Sequence, residues 1–181
     1  MSNANKYVVI AYFDNDEQAT NAGSSLKDWD KANDSVKLGG IGVITMNEKG
    51  KLKTHLVGTR SEGYGFKYGA IIGGVAGLLS GGATVLGAAA AGAVAGWVIG
   101  AFFHKRLGLS DEDKALLDNH LEGGGAALVA MADDFEVEPT QAYLANMGAT
   151  VESYHVPEET MDELEAYADA AEDSVDTEAA E

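Results

Sequence analysis

Tyr7-Val8-Val9-Ile10-Ala11-Tyr12-Phe13 is an unbroken β-branched and aromatic run, which predicts a buried strand. The polar turn Asp14-Asn15-Asp16-Glu17 follows, with Asp14 placed to cap a helix and Glu17 three residues on, the spacing of a capping box. Ala19, Ala22, Leu26 and Trp29 then recur at i, i+3, i+7 and i+10, one face of a helix. Gly39-Gly40 breaks the chain before a strand at Ile41–Met46. Asn47-Glu48-Lys49-Gly50 is a turn, and Lys51–Val57 alternates polar and apolar positions as a hairpin partner should.

After a long insertion the same logic returns. Ser110-Asp111-Glu112-Asp113 opens a short helix with Leu116, Leu117 and Leu121 as its apolar side, and Gly123–Gly125 ends it. Ala126–Ala132 is a second apolar strand, again followed by an acidic turn, Asp133-Asp134. Pro139 suits a helix's first turn, Tyr143, Leu144 and Met147 pack that helix, and Gly148 stops it. Thr150–Val156 is the last strand. Strand, acidic turn, helix and strand thus occur twice. The pattern predicts an α+β fold, a ferredoxin-like sandwich of duplicated βαβ units with a four- or five-stranded sheet and helices on one face.

The insertion is unlike its surroundings. No charged residue occurs from Tyr68 to Phe103, and Gly65, Gly69, Gly73, Gly77 and Gly81 are spaced four apart without a miss. On a helix, residues four apart lie nearly above one another, so these glycines predict a shallow groove along one side. A second row, Ala88, Gly92, Gly96 and Gly100, follows a turn near Gly81–Thr84. Each Gly costs about 1 kcal/mol of helix propensity relative to Ala, so a row of them calls for compensating close contact. A flexible linker is a poor account, because Ile71, Ile72, Val75, Leu78 and Leu79 interleave the glycines.

Two readings of this helical hairpin remain, a membrane insertion and a zipper buried in a soluble oligomer. Each helix has about 17 residues, roughly 25 Å, just short of a hydrocarbon core. Six strongly apolar residues per helix, from Ile71 to Val85 and from Leu86 to Phe103, favour insertion by roughly 2 to 4 kcal/mol before the glycines are counted. Arg60 and Lys67 precede the hairpin, Lys105 and Arg106 follow it, and its tip is uncharged, the arrangement expected with both termini cytoplasmic. Trp97 lies with Tyr64, Phe66, Tyr68, Phe102 and Phe103 among the aromatics of an interfacial belt. The membrane reading is preferred.

Taken whole, the 181 residues carry 12 Lys+Arg against 29 Asp+Glu, a formal charge of −17, and no Cys. The acidic balance argues against a nucleic-acid partner, whose phosphates need basic neutralisation. The lack of Cys removes disulfides, thiolate metal sites and thiol nucleophiles. Much of the acid sits in one place, since residues 158–181 hold no basic residue. There Met161, Leu164, Ala168, Ala171 and Val175 make a heptad-like seam on an acidic helix that ends in a disordered tail. The chain start carries neither an Arg-rich presequence nor a cleavable signal, from which a cytosolic chain is expected. The boundaries are therefore residues 1–64 and 107–157 for the two halves of the α/β domain, 65–106 for the hairpin and 158–181 for the tail.

Segment order and composition, together with Leu107-Gly108-Leu109-Ser110-Asp111-Glu112-Asp113 and the Gly123-Gly124-Gly125-Ala126-Ala127-Leu128-Val129-Ala130-Met131 entry to a late strand, resemble the bacterial family called domain of unknown function 1269. The resemblance covers roughly residues 6–156 and leaves out the acidic tail. Members of that family are usually described as uncharacterised membrane proteins, so a membrane association is what the resemblance implies. It supplies no catalytic residues to transfer.

Chemistry-bearing motifs are sparse. Gly63-Tyr64-Gly65-Phe66-Lys67-Tyr68-Gly69 follows a strand and opens a helix but reads G-x-G-x-x-x-G, and the ribose-binding acid of a dinucleotide fold is missing. His55, His104, His120 and His155 show no ligand spacing, so no metal and no cofactor is expected. Asp14/Asp16 and Asp133/Asp134 both follow strands and are a candidate pair for a divalent cation, although helix capping accounts for them better. The expectation is a non-enzymatic, membrane-associated homo-oligomer. Its contact rows would be Gly65, Gly69, Gly73, Gly77 and Gly81 against Ala88, Gly92, Gly96 and Gly100, at the inner membrane with both termini cytoplasmic. The alternative is a cytoplasmic self-assembling or ligand-sensing module whose hairpins form a dry oligomer core.

Overall fold

The β-branched and aromatic run forms β1 (Tyr7–Phe13), and the amphipathic segment after it forms α1 (Asp16–Ala32). The chain continues through β2 (Gly40–Met46), β3 (Leu52–Thr59), a two-residue β4 (Leu86–Gly87), α2 (Asp111–Glu122), β5 (Ala126–Ala132), α3 (Asp134–Asn146) and β6 (Thr150–His155). These elements belong to a computed structural model, which describes residues 7–33, 36–59, 86–87 and 110–159.

The strand order is β4-β3-β2-β5-β1-β6. Five strands are antiparallel to their neighbours, and β4 adds two parallel pairs to β3 through Lys53↔Leu86 and Thr54↔Gly87. Because β1 and β2 both run antiparallel to β5, they run parallel to each other, one strand apart and joined through α1. β5 and β6 flank β1 in the same way, joined through α3. Each βαβ unit leaves a gap that the first strand of the other unit fills.

Side chains alternate across the sheet and separate two apolar faces. Val9, Ala11 and Phe13 of β1, Ile41 and Val43 of β2, and Ala126, Leu128, Ala130 and Ala132 of β5 meet Ala19, Ala22 and Leu26 of α1 and Leu144 of α3. Trp29 and Tyr143 close this core by stacking at 4.8 Å, and the Tyr143 hydroxyl donates to Ser25 O. Gly23 lets α1 approach, since a Cβ there would sit 3.1 Å from Val57 Cγ2 and 3.4 Å from Leu128 Cδ1. Val8, Ile10, Ile44, Val129 and Met131 are equally buried on the second face. There α2 contributes Leu117 and Leu121.

The α+β class, the turns and, apart from β4, the order of the described elements match the sequence pattern, while the hairpin and the acidic tail lie outside the described residues. Asn47 builds its turn by accepting from Lys49 N and Lys51 N, at 2.9 and 3.0 Å, and Gly50 supplies the positive φ of 68°. Gly148, at φ 90°, ends α3, and Ala149 N returns to Leu144 O. Several expectations need correction. Helices occupy both faces, because α2 lies against Tyr12, whose side chain points away from the core that holds α1 and α3. The α1 cap is Asn15, whose Oδ1 accepts from Gln18 N at 2.9 Å, so the helix starts one residue later than an Asp14 cap would give. Pro139 stands inside α3, because Asp133 and Glu136 start that helix five residues earlier. Leu116 is 53% exposed and Met147 38%, since neither falls on the face of its helix that meets the sheet. Leu86, expected in the second hairpin helix, is extended and paired with Lys53.

Leu128 is completely buried beneath α1, so Leu128→Ala removes core atoms and leaves a cavity. A loss of about 2 to 5 kcal/mol is expected, against about 0.5 kcal/mol or less for Leu116→Ala. Urea denaturation of both variants checks the contrast.

Candidate functional site

Strand alternation that sends Val9, Ala11 and Phe13 to one face sends Tyr12 to the other. Register places Glu152 opposite Ile10 and Tyr154 opposite Val8, so both project on Tyr12's side of the sheet. Helix α2 crosses this face and adds Asp113 near its start and His120 near its end. The result is a set of two phenols, two carboxylates and an imidazole drawn from β1, β6 and α2.

His120 is fixed first. Its Nε2 lies 2.7 Å from Phe13 O, and a carbonyl only accepts, so the proton sits on Nε2. Its ring meets Tyr12 edge-on at 5.4 Å. Gly125 makes room for this arrangement, since a Cβ there would lie 2.4 Å from His120 Nε2 and 2.8 Å from His120 O. Gly124 turns the chain with φ 88°. The run Gly123–Gly125 thus ends α2 and also seats the histidine.

Asp113 caps α2. Its Oδ2 accepts from Ser110 N at 2.9 Å and from Ser110 Oγ at 2.8 Å, while Asp113 N donates to Ser110 Oγ at 3.1 Å, a complete capping box. Its charge is felt by the Tyr154 phenol across the face. Burial pushes the Tyr12 phenol up to about 12, helped by the charges of Glu152 and Asp113 and opposed by Tyr154. Burial also raises Tyr154, with Tyr12, Asp113 and Glu152 adding to the effect. Phenols shifted upward hold their protons at neutral pH, so both serve as hydrogen-bond donors and not as phenolate bases or nucleophiles. The tether that the cluster supplies between α2 and the sheet is the His120 bond to Phe13 O.

A second built-in carboxylate is Glu136, fully buried near the start of α3. It accepts from Asp133 N at 2.7 Å and from Lys37 N, which ties the approach to β2 onto α3. Leu38 N donates to Asp30 Oδ1 at 2.8 Å and anchors the same approach to α1. Elsewhere Thr20 Oγ1 lies 3.2 Å from both Asp16 Oδ1 and His55 Nε2. Tyr7 meets His155 edge-on at 5.0 Å, and Asp134 raises its phenol.

The acidic turns do not meet. Phe13 pairs with Ala126 and Tyr7 with Ala132, so Asp14/Asp16 and Asp133/Asp134 leave opposite ends of the ladder, about 20 Å apart at the rise of a strand. Among the described residues no group of three or more His, Asp or Glu is placed to hold a metal ion. The residues expected to carry assembly all lie outside the described residues: Gly65, Gly69, Gly73, Gly77, Gly81, Ala88, Gly92, Gly96 and Gly100, with the flanking Arg60, Lys67, Trp97, Lys105 and Arg106. So does the acidic seam from Met161 to Val175. Tyr12, Tyr154 and Glu136 were not singled out from the sequence. Glu136 carried a usable signal, three residues after Asp133; the tyrosine pair did not, because it depends on register between β1 and β6.

The model of the family described as "Protein of unknown function (DUF1269)" matches residues 66–168, more than half of the chain. The match takes in the glycine rows from Gly69 onward and the second βαβ unit and reaches into the acidic segment, later at both ends than the span of the resemblance. No curated protein and no solved structure matches the chain.

A phenol with a raised folded-state value binds its proton more firmly folded than unfolded, so stability falls as pH rises through the unfolded value of about 10. For Tyr12 the fall runs from about 10 to about 12. Urea midpoints measured across that range are expected to drop, and Tyr12→Phe is expected to flatten the drop.

Proposed function

The chain belongs to the DUF1269 family of proteins of unknown function, and from that premise we propose that it is a non-enzymatic, membrane-associated homo-oligomer. The observation that carries the reading is the glycine row, five residues at one phase, four of them inside the stretch that holds no charge from Tyr68 to Phe103 and has basic residues at both ends. The family match spans that stretch. In this reading a ferredoxin-like domain stays on the cytoplasmic side, a description supported by the order β2-β5-β1-β6 with antiparallel neighbours. The hairpins pack through Gly65–Gly81 and Ala88–Gly100 at the inner membrane.

Small residues four apart allow two helix backbones to approach within reach of extensive van der Waals contact, which is what drives association where water does not. Basic flanks keep both chain ends on one side. Among the described residues no helix is long and apolar enough to cross a membrane; the uncharged stretch lies outside that set except for Leu86–Gly87. A helix length of about 17 residues, short of the roughly 20 that span a bilayer, favours the second reading, a soluble assembly with the hairpins at its dry centre.

Gly73→Leu and Gly96→Leu are each expected to reduce the native mass to that of the monomer in detergent while the far-ultraviolet dichroism of the α/β domain is kept. Unchanged mass for both variants would overturn assembly through the rows. An alkaline carbonate wash distinguishes the settings: retention in the pellet supports the membrane, and release supports the soluble assembly.

A further inference from the structure

Of the insertion, the structure describes Leu86 and Gly87, which stand at the middle of the stretch that holds no charge from Tyr68 to Phe103. They form β4 and extend the sheet beyond β3, Leu86 opposite Lys53 and Gly87 opposite Thr54, in parallel. The insertion leaves β3 at Thr59, six residues from Lys53, roughly 20 Å along the strand. Its middle therefore comes back to the domain that it left. A hairpin that crosses a bilayer instead carries its middle over a hydrocarbon core of about 30 Å. Pairing also holds that backbone beside Lys53, whose side chain is exposed and whose charge is costly in hydrocarbon. Pairing of β4 with β3 and passage across a bilayer exclude each other.

We propose that β4 is a catch: Leu86 and Gly87 on the edge of β3 hold the glycine-rich insertion at the sheet, and release of these two pairs frees it for the bilayer. The proposal rests on the membrane reading of that stretch. The contact suits a reversible role. β3 has eight residues and β4 covers two of them, so the ladder bonds are few, and each has a modest net worth. Gly87 brings no side chain to the contact. The two states also account for Leu86, which is extended on β3 although the hydrophobic pattern counts it with the second apolar helix. Released, it lengthens a segment that is otherwise short for a crossing, next to the contact row that begins at Ala88.

The chain has no Cys, so introduced thiols report on the catch alone. Lys53→Cys with Leu86→Cys puts sulfurs on paired residues of strands about 4.8 Å apart, a separation that a disulfide bridges. The full-length variant is expected to cross-link within the chain on oxidation. The control, Leu86→Cys with His155→Cys, joins strands at opposite edges of the sheet, roughly 24 Å apart, and is expected not to cross-link. Thr54→Cys with Gly87→Cys reads the second pair if the first variant fails to fold. Oxidised and reduced forms are then mixed with vesicles of phosphatidylethanolamine and phosphatidylglycerol and washed with alkaline carbonate. The reduced form is expected in the pellet, the oxidised form is expected to be lost from it, and added reductant is expected to restore it. Absence of a cross-link in both pairs, or equal cross-linking in the control, would overturn the docking of β4, whereas retention of the reduced form would still uphold the membrane reading. Equal retention of cross-linked and reduced forms would overturn the catch. Release of both forms would remove the membrane reading and the catch with it, while the cross-link would still record the docking.

Discussion

Strand β5 is buried along all seven of its residues, on both faces, and the rest of the fold depends on where it lies. It sits between β1 and β2, which belong to the other half of the chain and which no hydrogen bond joins directly. Until β5 arrives, the first βαβ unit has a gap where a strand should be; until β1 arrives, the second has the same. Neither half can complete its sheet alone. The composition of β5 follows from this position. A strand covered on both faces reads as a continuous apolar run and not as an alternation, and its alanines at 126, 127, 130 and 132 let helices and neighbouring strands pack closely over it.

Interlocking also explains how the fold accommodates its long insertion. The insertion leaves after β3 and returns before α2, between the two halves. Loop-closure cost rises only with the logarithm of length, about 0.6 kcal/mol per doubling. Once β1, β2 and β5 are in register, a long excursion therefore adds little to the cost already met. The burden falls on the returning element. Helix α2 is carried to the opposite face from α1 and α3, where Leu117 and Leu121 hold it and where His120 reaches Phe13 O only because Gly125 has no side chain.

The pattern of apolar and polar residues was enough to place β1, β5, the Asn47–Gly50 turn and the glycine ends of α2 and α3, because each depends on short-range chemistry. Boundaries set by competing caps were less legible. Asp14 and Asn15 are adjacent and both capable, and only the extended backbone at Asn15 decides between them. Pro139 is a common first-turn residue, yet Glu136 reaches back to Asp133 N and starts the helix earlier. Faces were least legible, since periodicity says that a helix has an apolar side without saying which side of the sheet receives it. The tyrosine cluster was invisible for a related reason: Tyr12, Asp113 and Tyr154 meet through the pairing of β1 with β6 and the crossing of α2.

Duplicated pattern does not bring duplicated chemistry together. The two acidic turns look equivalent along the chain, but antiparallel pairing of β1 with β5 sends them to opposite ends of the sheet, where each starts its own helix. What the interlock does bring together is one residue from each of three stretches: Tyr12 before the insertion, Asp113 just after it and Tyr154 at the last strand. Burial and the charges of Asp113 and Glu152 raise both phenols, so the three share one electrostatic environment where β1, β6 and α2 converge. Helix α2 is instead registered against the sheet by His120 on Phe13 O and by the buried Leu117 and Leu121.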